Sequence, residues 1–282
     1  MNRPMPPPAH EVDAVLARAL AEDLALGGDL TSAALVPDDA TSHGRIGARA
    51  DGTHAGRHIG LAVFALLEGE VTETAQAADG ERVAAGTTLA TVEGSSRAIL
   101  TGERTCLNIL GHLSGIATST RAVVDAIEGT ATRVADTRKT TPGLRSLEKY
   151  AVRCGGGINH RFGLHDAVMI KDNHLVVAGS PREAVATVRA SVGHTVSITA
   201  EVDRLDQIED TVAGGADIIL IDNLRGDELR RAVELVDGRA ITEASGTITP
   251  DNAADVAASG VDVISLGWIT HSAPRLDVAL DL

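Results

Sequence analysis

The sequence predicts an α/β protein: a parallel (β/α) barrel, closed or nearly so, preceded by a smaller domain of mixed α and β structure. Three observations predict it. After Gly129, six apolar strand-like runs alternate with amphipathic helical segments, a rhythm of roughly twenty to thirty residues that marks parallel βα units. Between Gly44 and Gly94 the texture is different, with short β-like runs broken by turn signals. Nearly every run of the second region ends in a polar or charged residue, as strands do where their loops converge on one mouth.

In chain order, Met1 to His10 is proline-rich and lacks an apolar h-region, so it reads as a frayed tail and not a signal peptide. Val12, Val15, Leu16, Ala19, Leu20 and Leu24 then recur at helical period over Glu11 to Leu26, and Gly27-Gly28-Asp29 stops the helix. Strands are expected at Arg45 to Ala50, Val71 to Ala75 and Thr88 to Val92, with turns at Asp79-Gly80 and Ala85-Gly86 and a helix over Ile59 to Leu67. A long helix follows from Ser95 to Glu128, in which Gly111 and Gly115 permit a bend or a close neighbour. The barrel strands are expected at Thr132 to Ala135, Ala167 to Ile170, Val196 to Val202, Asp217 to Ile221, Ala240 to Thr242 and Val261 to Leu266. Helices are expected at Pro181 to Ser191, Leu205 to Ala213, Asp227 to Val236 and Pro250 to Ser259.

Composition narrows the function. A net charge of −14 gives no overall positive field for nucleic acid or an anionic membrane, and no apolar stretch of about 18 residues is present to span a bilayer. Cys106 and Cys154 form no CxxC pair and no zinc-like spacing, which fits a reducing, cytoplasmic setting; Cys106 lies in an apolar helical pattern and reads as core, and Cys154 has no evident catalytic partner. Within this acidic chain, Arg133 to Lys171 carries eight cations against three anions. Such a block implies a small, multiply anionic ligand, because guanidinium groups pair with carboxylates bidentately and lysines offer compact charge to phosphates. Two carboxylates, Glu201 and Asp222, end successive strands and would face the same mouth; facing phosphates, they suit Mg²⁺. Ser245-Gly246-Thr247 and the Gly267 loop add small residues and backbone N–H groups for a phosphate.

These segments resemble a known family. Asp136-Thr-Arg-Lys-Thr-Thr-Pro-Gly-Leu-Arg145, then Glu148 to Arg153, Gly155 to Arg161 and Ile170-Lys-Asp-Asn-His174, looks like the signature of quinolinate phosphoribosyltransferases, which belong to the type II phosphoribosyltransferases. Glu103-Arg104-Thr105, Asn108, His112 to Ala117, Glu201-Val-Asp203, Asp222-Asn223, Glu243 to Gly246 and Thr270 to Ser272 match as well. The resemblance implies an incomplete (β/α) barrel over residues 116–270 and an N-terminal α/β sandwich over 11–115. It also implies a tail at 1–10 and a C-terminal segment, 271–282, packed back on the sandwich. It further implies a homodimer or larger oligomer with shared sites, so that Arg104 reaches the neighbour's pocket. Arg138, His160, Arg161 and Lys171 would hold quinolinate, with Thr137 beside them. Lys139, Glu201, Asp222, Ser245, Gly246, Thr247 and Gly267 would meet phosphoribosyl pyrophosphate and its Mg²⁺, and no organic cofactor is needed. Lys139, Glu201 and Asp222 would act in catalysis.

The chain departs from the family pattern at Thr247, where a second glycine is common, at Trp268, where a small residue is usual, and at Thr199, which replaces a frequent Glu. The implied activity is transfer of the phosphoribosyl group to quinolinate with loss of CO₂, giving nicotinate mononucleotide and pyrophosphate. The alternatives are a related transferase acting on another acid and a non-catalytic barrel that binds a phosphosugar.

Overall fold

The structure, a computed structural model, describes residues 4–282. Its elements begin with α1 (Ala9–Leu24), α2 (Leu30–Leu35), β1 (Thr41–Ala48), β2 (Gly52–Thr53), α3 (Arg57–Leu61), β3 (Val71–Ala75), β4 (Arg82–Val83), β5 (Thr88–Ser95) and α4 (Ser96–Ala126). They continue with β6 (Arg133–Ala135), α5 (Arg145–Cys154), β7 (Val168–Ile170), α6 (Asp172–Ala178), α7 (Pro181–Ser191), β8 (Ile198–Val202), α8 (Ile208–Ala213) and β9 (Ile218–Asp222). The last are α9 (Gly226–Val236), β10 (Ile241–Ser245), α10 (Pro250–Ala257), β11 (Val263–Ser265), α11 (Trp268–His271) and β12 (Val278–Asp281). Among the described residues, no helix is long and apolar enough to cross a membrane.

The chain divides into two compact units. One runs to Arg121 and also takes in Thr140–Gly156 and Trp268–Leu282; the other comprises Ala122–Lys139 and Gly157–Gly267. α4 runs through residue 115, where the domain edge is expected, and carries the chain from the first unit into the second.

The first unit is built on an antiparallel sheet in the order β12-β1-β5-β3, with β2 and β4 forming a separate pair. Ile46, Leu89, Val92 and Ile99 are buried in it, as are Val12, Leu16 and Leu20, which lie four residues apart on α1. α1 starts two residues earlier than its periodicity predicts, and the tail is correspondingly shorter. Pro7 is buried and the Met5 carbonyl accepts from Arg153 Nη2 at 2.8 Å, so docking, which a proline-rich composition does not reveal, orders this segment. Residues 1–3 of the expected tail lie outside the described residues. α2 went unread because it is only six residues long; Asp29 caps it by accepting from the Thr31 and Ser32 N–H groups. The helix expected over Ile59 to Leu67 is two short pieces, α3 and a single 3₁₀ turn at Phe64–Leu66. On α4, a Cβ at Gly111 would lie 2.8 Å from the Leu276 carbonyl oxygen, and one at Gly115 would meet the Pro274 carbonyl. Both glycines admit the returning chain, and the Leu276 N–H donates to the Gly111 carbonyl at 2.9 Å.

The second unit is a six-stranded parallel sheet in the order β6-β11-β10-β9-β8-β7. Its end strands β6 and β7 do not pair with each other, so the barrel is incomplete. Register and the two-residue alternation of strands sort the side chains. Ala200, Val202, Ile219, Ile221, Ala244 and Ile264 share one buried face. Thr199, Glu201, Leu220, Asp222, Glu243 and Ser245 share the other. α7 begins where Ser180 Oγ accepts from the Glu183 N–H at 3.3 Å, with Pro181 in the first turn.

Candidate active site

The C-terminal ends of the parallel strands carry the chemistry. β8 ends with Glu201-Val202, β9 with Asp222 and β10 with Ser245. Glu201 pairs in register with Leu220, and Leu220 with Glu243, so these three lie in one row across three strands. Asp222 pairs with Ser245 one step further toward the mouth, on the same face. The two carboxylates proposed for metal binding are thus neighbours on adjacent strands. Asp222 Oδ2 accepts from Asn223 Nδ2 at 2.7 Å.

The cationic side is laid down by the loops after β6 and by the segment before β7. Asp136, fully buried at the end of β6, accepts from the His160 N–H at 2.8 Å and from Asn159 Nδ2 at 2.6 Å. One residue further, Thr137 Oγ1 accepts from the Lys139 N–H at 3.0 Å and shapes the turn bearing Arg138 and Lys139. Arg161 is held by its Nη1, which donates to the Ala167 carbonyl at 3.1 Å. Burial, and then the charge of Arg138, lower its pKa, while Asp166 opposes both. Asp166 itself stays below the ordinary carboxylate range: burial raises it, but the Phe162 and Gly163 N–H groups donate to it and outweigh that cost.

Lys171 joins the two sides. Its Nζ lies 3.2 Å from Glu201 Oε2, so the last cation of the basic block meets the first acid of the later strands. Its own N–H donates to His174 Nδ1 at 2.9 Å, which fixes the start of α6.

The phosphate-type loop after β10 is braced from β9. The Asn223 N–H donates to the Ser245 carbonyl at 3.2 Å, and Asn223 itself adopts a left-handed φ of +59°. Arg225 reaches the Ser245 carbonyl and Thr247 Oγ1, both at 3.3 Å. Gly246 has φ +96°, and a Cβ there would run into Asn223 Oδ1. This glycine is a steric requirement.

The chain matches the model of the quinolinate phosphoribosyl transferase N-terminal domain over residues 29–114 and that of the C-terminal domain over residues 116–281. The chain belongs to the quinolinate phosphoribosyltransferase family. It is 44% identical over 270 residues to the nicotinate-nucleotide pyrophosphorylase [carboxylating] of Mycobacterium leprae, covering 94% of this chain and 95% of that one. It is 43% identical over 255 residues to a probable enzyme of the same name from Bacillus subtilis, covering 90% and 88%. The structure of the nicotinate-nucleotide pyrophosphorylase from Francisella tularensis superposes with a TM-score of 0.94 at 35% identity, over 100% of this chain and 99% of that one. The incomplete barrel and the small antiparallel sheet are those expected of this family.

Within this family member, Thr137, Arg138, Lys139, His160, Arg161, Lys171, Glu201, Asp222, Ser245, Gly246, Thr247 and Gly267 all belong to one unit. Arg104 belongs to the other, on α4, where it is 66% exposed and lies 3.9 Å from Glu103. The block of eight cations is divided as well. Arg145, Lys149 and Arg153 sit on α5 of the first unit, where Lys149 is buried and Arg145 donates to Thr140 Oγ1 at 2.9 Å. Arg133 stands at the opposite end of β6 from the mouth. Arg138, Lys139, Arg161 and Lys171 belong to the unit of the parallel strands.

Sequence reasoning left Asp136, Asn223, Arg225 and Glu243 off the site. All flank strand ends, but nothing in the sequence separates a buried brace from a solvated loop charge. Cys106 and Cys154 are buried, and burial pushes the Cys154 thiol up to about 12, as an unreactive core cysteine requires.

Proposed function

We propose that this protein transfers the phosphoribosyl group of phosphoribosyl pyrophosphate to the ring nitrogen of quinolinate, with loss of CO₂, to give nicotinate mononucleotide and pyrophosphate for NAD synthesis. The contact that carries the reading is Lys171 to Glu201, which brings the cationic and acidic halves onto one face. Quinolinate bears adjacent carboxylates, and Arg138, Arg161 and Lys171 are the cations suited to offset their repulsion and to orient the ring nitrogen toward the ribose anomeric carbon. On binding, Lys171 exchanges Glu201 for a substrate carboxylate, which frees Glu201 for the metal side.

Among the described residues no group of three or more His, Cys, Asp or Glu forms a metal cage. Two neighbouring carboxylates, Glu201 and Asp222, fit an ion that arrives with its own phosphate ligands, as Mg²⁺ does. Bound there, Mg²⁺ supplies positive charge for the pyrophosphate as it leaves. Lys139 adds charge at the same end, and the Ser245 to Thr247 loop offers backbone N–H groups. The bond from nitrogen to the anomeric carbon forms as the bond from that carbon to pyrophosphate breaks. The pyridine nitrogen is then cationic, so the electron pair left on C2 when CO₂ departs is stabilised within the ring, and solvent returns a proton to C2.

The exposure of Arg104 supports its use by a neighbouring subunit, in a cytoplasmic homodimer with shared sites. The deciding experiment supplies purified protein with quinolinate, phosphoribosyl pyrophosphate and Mg²⁺ and measures pyrophosphate and trapped CO₂ together. Equal yields are expected. Turnover of nicotinate with no CO₂ assigns another acid, and ligand binding without pyrophosphate release assigns a sensor.

A further inference from the structure

Three oxygens of the loop after β10 are taken up by the protein. The Ser245 carbonyl accepts from the Asn223 N–H at 3.2 Å and from Arg225 Nη1 at 3.3 Å. Thr247 Oγ1 accepts from Arg225 Nη2 at 3.3 Å, and the Thr247 carbonyl accepts from Asn252 Nδ2 at 3.1 Å. Both side chains are themselves tied down. Arg225 Nη1 also donates to the Leu224 carbonyl at 2.8 Å, and Asn252 Oδ1 accepts from the Thr249 N–H at 2.9 Å, where α10 begins. The Gly246 and Thr247 N–H groups, by contrast, donate to none of the described residues. A loop with these acceptors turned to the protein and two successive donors left over is set for an anion. Arg225 is the one side chain that grips the loop on both sides of those donors, because a guanidinium holds several acceptors at once in a fixed plane.

We propose that Arg225 and Thr247 act as one positioning unit for the phosphate end of phosphoribosyl pyrophosphate: by gripping the Ser245 carbonyl and the Thr247 hydroxyl together, Arg225 fixes the two N–H groups that lie between them. This rests on the phosphoribosyl-transfer reading and deepens it, since it separates the groups that meet the phosphate from the group that aims them. It also gives a task to Thr247, one of this chain's departures from the family pattern: a glycine there has no hydroxyl for Arg225 to hold.

The test has two arms. Calorimetry measures the Kd of phosphoribosyl pyrophosphate with Mg²⁺ in the absence of quinolinate, and initial rates give KM for both substrates. Arg225→Ala and Thr247→Val should each weaken phosphoribosyl pyrophosphate about tenfold, with KM for quinolinate changed by less than about twofold. The double variant should be no weaker than Arg225→Ala alone, because both changes release the same grip. Thr247→Ser, which keeps the hydroxyl, should stay within about twofold of the wild type. If Arg225→Ala does not fold, Arg225→Met takes its place with the same expectation. Losses that multiply in the double variant, a silent Thr247→Val, or equal rises in both KM values overturn the proposal. Wild-type protein that binds phosphoribosyl pyrophosphate but does not consume quinolinate sinks the quinolinate reading alone, because the calorimetric arm reads the grip without turnover. Wild-type protein that neither binds phosphoribosyl pyrophosphate nor turns it over overturns both.

Discussion

Gly246→Ala probes the phosphate-side loop with a change of one methyl group. At φ +96° an L side chain is strained by about 1–3 kcal/mol. The added Cβ also meets Asn223 Oδ1 and comes within 3.1 Å of Arg225 Nη2, the two side chains that tie this loop to β9. For a chain of 282 residues, an unfolding entropy near 2.1 cal/mol/K per residue gives about 0.6 kcal/mol/K, so the strain lowers Tm by about 2–5 °C. The loop lies beside Asp222, so KM for phosphoribosyl pyrophosphate is expected to rise about tenfold while KM for quinolinate holds. Calorimetry and initial rates measure both. Asn223→Gly combined with Gly246→Ala removes the collision and keeps the dihedral cost, which separates the two contributions. Gly193→Ala, with open space around it, is the control and should be near neutral. A Gly246→Ala protein that melts with the wild type and keeps its KM refutes the steric argument.

Three further outcomes follow from the geometry. Lys171→Ala should lower kcat/KM for quinolinate by about 10–100-fold, the loss of one charge-assisted hydrogen bond, with partial recovery in Lys171→Arg; steady-state kinetics decide, and an unaffected rate removes Lys171 from the site. With both thiols buried and Cys154 at about 12, the native protein should react with a disulfide reagent at pH 8 far more slowly than the urea-unfolded chain; rapid native labelling contradicts this. Burial holds the His54 imidazole below its ordinary value, against the pull of Asp79. Below about pH 6.5 the unfolded chain takes up a proton that the folded chain refuses, so His54 costs no stability above that pH and progressively more as pH falls. Urea midpoints between pH 5 and 7.5 should slope less in His54→Gln than in the wild type, and equal slopes refute the assignment.

Where one periodicity ran unbroken, the sequence was legible: the spans read for β3 and α7 coincide with those observed. Strand ends were legible too, because a polar residue after an apolar run marks the mouth of a parallel sheet. α5 was not legible. Seven of its ten residues are buried, among them Glu148 and Lys149, so two of the charges that read as part of a ligand-facing block are internal. Glu148 takes a hydrogen bond from the Thr141 N–H at 3.1 Å and lies 2.8 Å from His112. Charge counted along the chain sees the sign of a residue and not its partner. The same limit hid Glu243, which read as one more polar strand end and is buried.

A sheet that never meets itself has no hoop. β8 and β9, which carry Glu201 and Asp222, are clasped by a full strand on either flank. β7, which leads into Lys171, is clasped on one, and β6, which leads into Arg138 and Lys139, has β11 on one side and only the short span at Ile158 on the other. The acids thus stand on the stiff middle of the sheet and the cations on its yielding margins. Backbone amides should therefore exchange with solvent more slowly on β8 and β9 than on β6 and β7.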